Sequence, residues 1–174
     1  NGYPETTVSQ IVARAGVGKP AFYDHFSDKE ECFVAAYNEA IEYLAAAVLD
    51  AFRPDHSVEA RISEVLRALL GALAADDNRA RVILIESLKA GPAAAAHVSE
   101  AHRRFAGVYI ASREEFRQTR PELPPISMTR GLAIIGAVNE PITVMYGRHV
   151  GGGHAETSRC AVRQGGVPGL LQPA

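Results

Sequence analysis

The sequence predicts an all-α protein, and three observations carry that prediction. Strand signals are nearly absent over its 174 residues. Alanine and leucine recur at helical spacing. Breaks such as Arg53-Pro54-Asp55, Gly91-Pro92 and the run from Pro121 to Pro125 punctuate the periodic segments.

Composition narrows the class further. Hydrophobic residues make up 47% and charged residues 22%, which excludes wholesale disorder. A chain this long buries roughly 70% of its unfolded surface and needs no disulfide or metal to fold. No uninterrupted apolar run approaches the ~18–20 residues of a membrane span, and no signal-peptide pattern opens the chain, so a cytoplasmic location without membrane contact is expected. Cys32 and Cys160 lie far apart without metal-ligand spacing and are expected to be free thiols. The net charge of −2 argues against a protein that coats polyanions, though not against one local nucleic-acid contact.

Each helix can be justified in turn. Residues 57–73 place Ile62, Val65, Leu66, Leu69, Leu70 and Leu73 on one stripe, with Ser57 as its N-cap. Residues 76–90 carry Val82, Ile83, Leu84, Ile85 and Leu88 on more than one face, the pattern of a centrally buried helix. Residues 93–120 form a third, with Val98, Ala101, Phe105, Val108 and Tyr109 to one side. Residues 127–149 form a fourth, apolar almost all round, in which Pro141 should introduce a kink. The glycines 151–153 read as a loop, and the tail from His154 as weakly helical.

Local signals are densest at the start. Thr7-Val8-Ser9-Gln10 has the form of a capping box and opens a short helix with Val8, Ile11, Val12 and Ala15 on one face. Gly16-Val17-Gly18 is a tight turn, and Lys19-Pro20 opens a second short helix that ends near His25. Ser27-Asp28-Lys29-Glu30 is a second capping box, launching a longer helix to about Leu49. Two short helices across a glycine turn make a helix-turn-helix, whose second helix can enter a DNA major groove. Phe22 and Phe26 then point inward, while Pro20, Ala21, Asp24 and His25 occupy the outward arc, flanked by Lys19 and Tyr23. Lys29 sits in the first turn of the long helix, unfavourable for a cation unless a phosphate docks there.

The run Gly2-Tyr3, Thr6-Thr7-Val8, Ile11, Ala15-Gly16-Val17, Phe22-Tyr23, His25-Phe26 and Lys29-Glu30-Glu31 resembles the TetR family of bacterial transcriptional regulators. The resemblance covers residues 1 to about 45; beyond it only helix count and order agree. It implies a helix-turn-helix DNA-binding domain over 1–45 and a ligand-binding and dimerisation domain over 46–174. It further implies that Thr7, Tyr23 and Lys29 contact phosphates, that Lys19, Pro20 and Ala21 face bases, and that His25 lies near the backbone. The family's first helix and basic arm are expected before Asn1. Residues 1–50 carry three basic residues against eight acidic ones, a net of −5, which departs from the usual basic footprint. Asp24 either accepts from a cytosine amino group or is merely tolerated.

For the C-terminal part, the resemblance implies a homodimer around an inducer pocket. The helix at 127–149 supplies the dimer seam in this reading, with Gly131, Gly136 and Ala137 permitting close approach; burial within one chain is the alternative. Polar or aromatic residues on apolar helices are the pocket candidates: Glu86, His102, Phe105, Tyr109 and Asn139, with Glu140 and Tyr146 beside them. Enzyme readings fare poorly. His97 and His102 are five apart, not the i, i+4 pair of a zinc helix, and Gly16-Val17-Gly18 lacks the strand of a dinucleotide fingerprint. The expected function is therefore a non-enzymatic, cofactor-independent regulator: a homodimeric repressor released from a palindromic double-stranded DNA operator by a small-molecule inducer. The alternative is an all-α ligand-binding protein or enzyme that binds no DNA.

Overall fold

The structure, a computed structural model, describes residues 2–53 and 56–163. Among these it is all-helical, with α1 (Val8–Ala15), α2 (Lys19–Tyr23), α3 (Lys29–Ala51), α4 (Val58–Ala75), α5 (Asp77–Leu84), a 3-10 turn (Glu86–Leu88), α6 (Pro92–Arg117) and α7 (Met128–Arg163). Pro54 and Asp55 of the break before α4, and the Gly165-Gly166 and Pro168-Gly169 breaks, lie outside the described residues.

The caps explain most boundaries. At α1 the box is complete: the Gln10 amide donates to Thr7 Oγ1 at 3.3 Å and the Thr7 amide donates to Gln10 Oε1 at 2.8 Å. Gly16 ends α1 at φ 70°, a left-handed position that suits glycine, and the Val17 amide returns to Val12 O at 3.0 Å. Ser57 caps α4 as its spacing predicts. The second box, however, does not form: the cap moves on by one residue and is not reciprocal. Asp28, not Ser27, caps α3 by accepting from the Glu31 amide, while Ser27 donates from its amide and hydroxyl to Glu31 at 2.7 Å each. Glu30 is thereby freed for a distant partner.

α3 is the post around which the rest is packed. Its length and mean hydropathy of 1.3 are enough to cross a membrane, yet Phe33, Tyr37, Ala40, Ile41 and Leu44 are buried in the protein core. One cluster joins Phe33, Tyr37 and Ile41 to Ala90, Ala94 and Ala101; the other joins Leu44 to Ala72, Leu73, Ala80 and Leu84. α3 thus packs against α4, α5 and α6, and α7 packs on α6. The small residues of α6 let it approach closely: Ala94 and Ala106 are fully buried.

Two boundary expectations and one packing expectation need correction. Residues 76–90 form not one helix but α5 followed by the 3-10 turn: the Ile85 amide still donates four residues back to Arg81 O, whereas the Lys89 amide donates only three back, to Glu86 O. α7 runs on through the glycines 151–153 to Arg163, since glycine weakens a helix by about 1 kcal/mol without forbidding it. Gly131 does permit close approach, but within the chain: a β-carbon there would lie 3.0 Å from Ile110 Cδ1 and 3.3 Å from Ala106 Cβ on α6.

Gly91 precedes α6 at φ 101°, and a β-carbon on it would sit 2.6 Å from Glu30 Oε1. That carboxylate accepts from the Ala93 amide at 2.8 Å, so Glu30 of α3 closes the N-terminus of α6. Gly91→Ala is expected to destabilise the fold by about 1–3 kcal/mol through left-handed strain, with additional crowding of Glu30. A lower urea midpoint at unchanged m-value is the expected result.

Candidate nucleic-acid interface and cavity

α1 and α2 pack on each other around Val12 and Phe22, 7% and 5% exposed. Phe22 meets Tyr23 and Phe26 at ring-centroid distances of 5.3 and 5.4 Å. With that side turned inward, Lys19, Pro20, Ala21, Asp24 and His25 are all exposed on the outer arc of α2 and the turn after it. Tyr23 is 55% exposed, and among the described residues its hydroxyl has no partner. Ala15, expected on the apolar face of α1, is exposed.

Thr7 and Lys29 are committed elsewhere. The Thr7 hydroxyl lies 3.0 Å from Gln10 Oε1, within its own capping box. Lys29 Nζ donates to the Tyr3 carbonyl at 2.9 Å and lies 4.2 Å from the centroid of the Tyr3 ring. Tyr3 thus gives this cation in the first turn of α3 a protein partner. One further Lys29 donor contact, to Pro4 O, is long at 3.5 Å.

Tyr3 is the hub that ties this segment to the remaining helices. Its ring meets Phe33 edge-on at 5.0 Å, and its amide donates to Glu86 Oε2 at 2.7 Å. Glu86 is buried and also accepts from Arg81 Nε at 3.1 Å, with Lys89 at 3.9 Å. Burial alone would raise its pKa, but the Tyr3 amide, Arg81 and Lys89 together hold it below the ordinary carboxylate range. The expectation that Glu86 faces a pocket is therefore corrected. Its carboxylate is consumed by the link to Tyr3 and does not line the cavity described next. Sequence reading missed Tyr3, whose partners lie 83 and 26 residues away.

Inside the helices lies a cavity of about 460 Å³ bounded by α3, α4, α5, the 3-10 turn, α6 and α7. Ile62, Val65, Leu66, Leu69 and Leu73 of the α4 stripe line it, so that stripe is cavity wall as much as closed core. His102, Phe105, Tyr109 and Asn139 line it as well, together with Glu140; Tyr146 instead donates to Asp77 Oδ1 at 2.5 Å. Desolvation pushes the His102 pKa down, which keeps its imidazole neutral near pH 7. An apolar chamber of this size with a few polar groups suits a small organic molecule. Cys32 is a free, half-buried thiol whose pKa burial raises; nothing is described of the Cys160 side chain.

Residues 1–36 match the sequence model for bacterial regulatory proteins of the tetR family. A relative, the HTH-type transcriptional activator FasR of Mycolicibacterium smegmatis, is 30% identical over 100 residues, covering 58% of this chain and 46% of its own length. The chain thus spans about half the length of that relative. A solved bacterial regulatory protein in the tetR family from Rhodococcus RHA1 superposes with a TM-score of 0.63 at 23% identity, over 83% of this chain and 74% of the other.

Proposed function

We propose, for a chain whose N-terminal segment and all-helical fold are those of the TetR family of transcriptional regulators, that it binds operator DNA through α2 and releases it when a small molecule fills the cavity. The observation that carries this reading is the outer arc of α2. It presents Lys19, Pro20, Ala21, Tyr23 and His25 to solvent on a helix pinned from behind by Phe22. Lys19 to Ala21, at the N-terminal end, face base edges, and Tyr23 and His25 reach the backbone. Thr7 contacts a phosphate by exchanging its Gln10 contact, and Lys29 by using a donor that Tyr3 leaves free.

Two copies are needed to read a palindromic operator, their α2 helices about 34–36 Å apart. The outer face of α7 supports such a homodimer: Ala133, Ala137, Pro141, Val144 and Met145 are exposed along it, Met145 at 71%. Ligand acts by population shift, favouring a dimer whose α2 helices no longer fit successive grooves. Repression follows where the operator overlaps a promoter; a footprint relative to the start site reads the sign of control.

The test is selection of bound fragments from genomic DNA, with Tyr23→Ala and Lys19→Ala variants alongside. One two-fold symmetric site is expected to be enriched, and each variant should bind it at least tenfold more weakly. The net charge of −5 over residues 1–50 favours a second reading, a ligand-binding protein that does not touch DNA. Enrichment of no sequence would decide for that reading, as would equal enrichment by both variants.

A further inference from the structure

Arginines in this protein mostly have carboxylate partners or stand in water. Arg79, Arg81, Arg103, Arg104 and Arg117 each pair with an acid. Arg14, Arg53, Arg67, Arg120, Arg130 and Arg148 are exposed. Among the described residues, two arginines are half-buried without a carboxylate partner, Arg61 and Arg113, and both line the cavity. Arg113 Nε is fully shielded from solvent and has no hydrogen-bond partner. A shielded, unpaired guanidinium donor is costly, and an acceptor brought to it through the cavity would remove that cost.

The two arginines share one end of the chamber. α3 and α6 run side by side in the same direction, as the pairs Glu30–Ala93 and Glu42–Arg104 establish. The end of α3 at Phe52 therefore lies level with the C-terminal part of α6, where Arg113 sits. Arg61 stands over the Phe52 ring, 5.6 Å from its centroid. Toward the opposite end the chamber is walled by Val98, Ile83 and Leu73, with Ser87 beside them, its hydroxyl donating to the Ile83 carbonyl at 2.7 Å; Asn139 and the exposed Glu140 of α7 line the chamber as well. From Arg113 back to His102 is eleven residues of helix, about 16 Å.

We propose that the cavity takes an elongated amphiphile bearing a single anionic head, a carboxylate, seated by Arg61 and Arg113, with its apolar body lying along α6 toward Val98. This rests on the cavity being the ligand site and is independent of whether the chain binds DNA. The guanidiniums supply paired donors matched to a carboxylate, and the mostly apolar lining of the chamber strengthens that pairing. The apolar wall selects an alkyl or aryl body, and Thr143, whose buried hydroxyl has no partner, offers a second polar contact on α7.

Calorimetry on the full chain without DNA tests this with decanoate, decanol and decylammonium. Decanoate is expected to bind one per chain, at least tenfold tighter than decanol and tighter still than decylammonium. Arg113→Met and Arg61→Met keep the apolar stems, and each should weaken decanoate tenfold or more while leaving decanol unchanged. Circular dichroism melts establish that both variants are folded, and Arg113→Lys should restore part of the preference. Equal affinity for decanoate and decanol would overturn the proposal, as would unchanged decanoate binding in the double methionine variant or no binding of any of the three. None of these outcomes bears on operator binding, which the fragment selection decides separately.

Discussion

Phe22→Ala is expected to unfold α1 and α2 while leaving the helices from α3 onward folded. Phe22 and Val12 are the buried side chains of that small unit, and Phe22 also orders Tyr23 and Phe26 by ring contact. Truncating a buried phenylalanine costs about 3–5 kcal/mol. A unit resting on so few buried groups has little more than that to lose, whereas both core clusters on α3 are untouched. Hydrogen exchange should therefore show lost protection confined to residues 8–26, and operator binding should fall by more than a hundredfold. Uniform loss of protection along the chain would mean instead that the two parts unfold as one.

The second large effect is expected at Glu86. Replacing it by alanine leaves the Tyr3 amide and Arg81 without their acceptor, a loss of about 2–3 kcal/mol for buried hydrogen bonds to a charged group. The same residue sets an acid limit. Its folded pKa is lowered, so its stabilisation is complete above the ordinary carboxylate pKa and is lost as pH falls through the lowered folded value. Urea midpoints of the wild type should therefore drop below about pH 4, and Glu86→Gln should flatten that drop. An identical acid profile in Glu86→Gln would show that other carboxylates govern it.

What could be read from the sequence follows the range of the interaction. Thr7 and Gln10 cap each other across three residues, and the αL turn at Gly16 is local too, so both are visible in order. The stripe on α4 is equally visible, yet the same periodicity serves a closed core and a cavity wall, and only the packing of α6 and α7 distinguishes them. Ser27-x-x-Glu30 has the form of a box, yet Asp28 is the cap and Glu31 accepts from Ser27 instead. The choice of Asp28 with Glu31 depends on Glu30 being drawn to the Ala93 amide, 63 residues away. Lys29 and Glu86 each look like unsatisfied charges in sequence because their shared partner, Tyr3, lies far along the chain. His102, Phe105, Tyr109 and Asn139 could be picked as cavity residues, being polar or aromatic on apolar helices. Arg113 could not, since an arginine on α6 shows its missing partner only in three dimensions.

Glu86 and Ser87 are consecutive, yet Glu86 holds Tyr3 while Ser87 lines the cavity. One peptide unit is thus shared by the chamber wall and the anchor of the N-terminal segment. A messenger carried across that single joint has a bounded amplitude. It transmits no more than the free energy by which the Tyr3–Glu86 attachment differs between filled and empty chambers, on the scale of about 1–3 kcal/mol, or about 5–150-fold in affinity at the far site. By the same thermodynamic necessity, DNA held at α2 would weaken the chamber's grip on its ligand by the identical factor. On the function proposed above, a chain wired this way acts as a dimmer of limited throw.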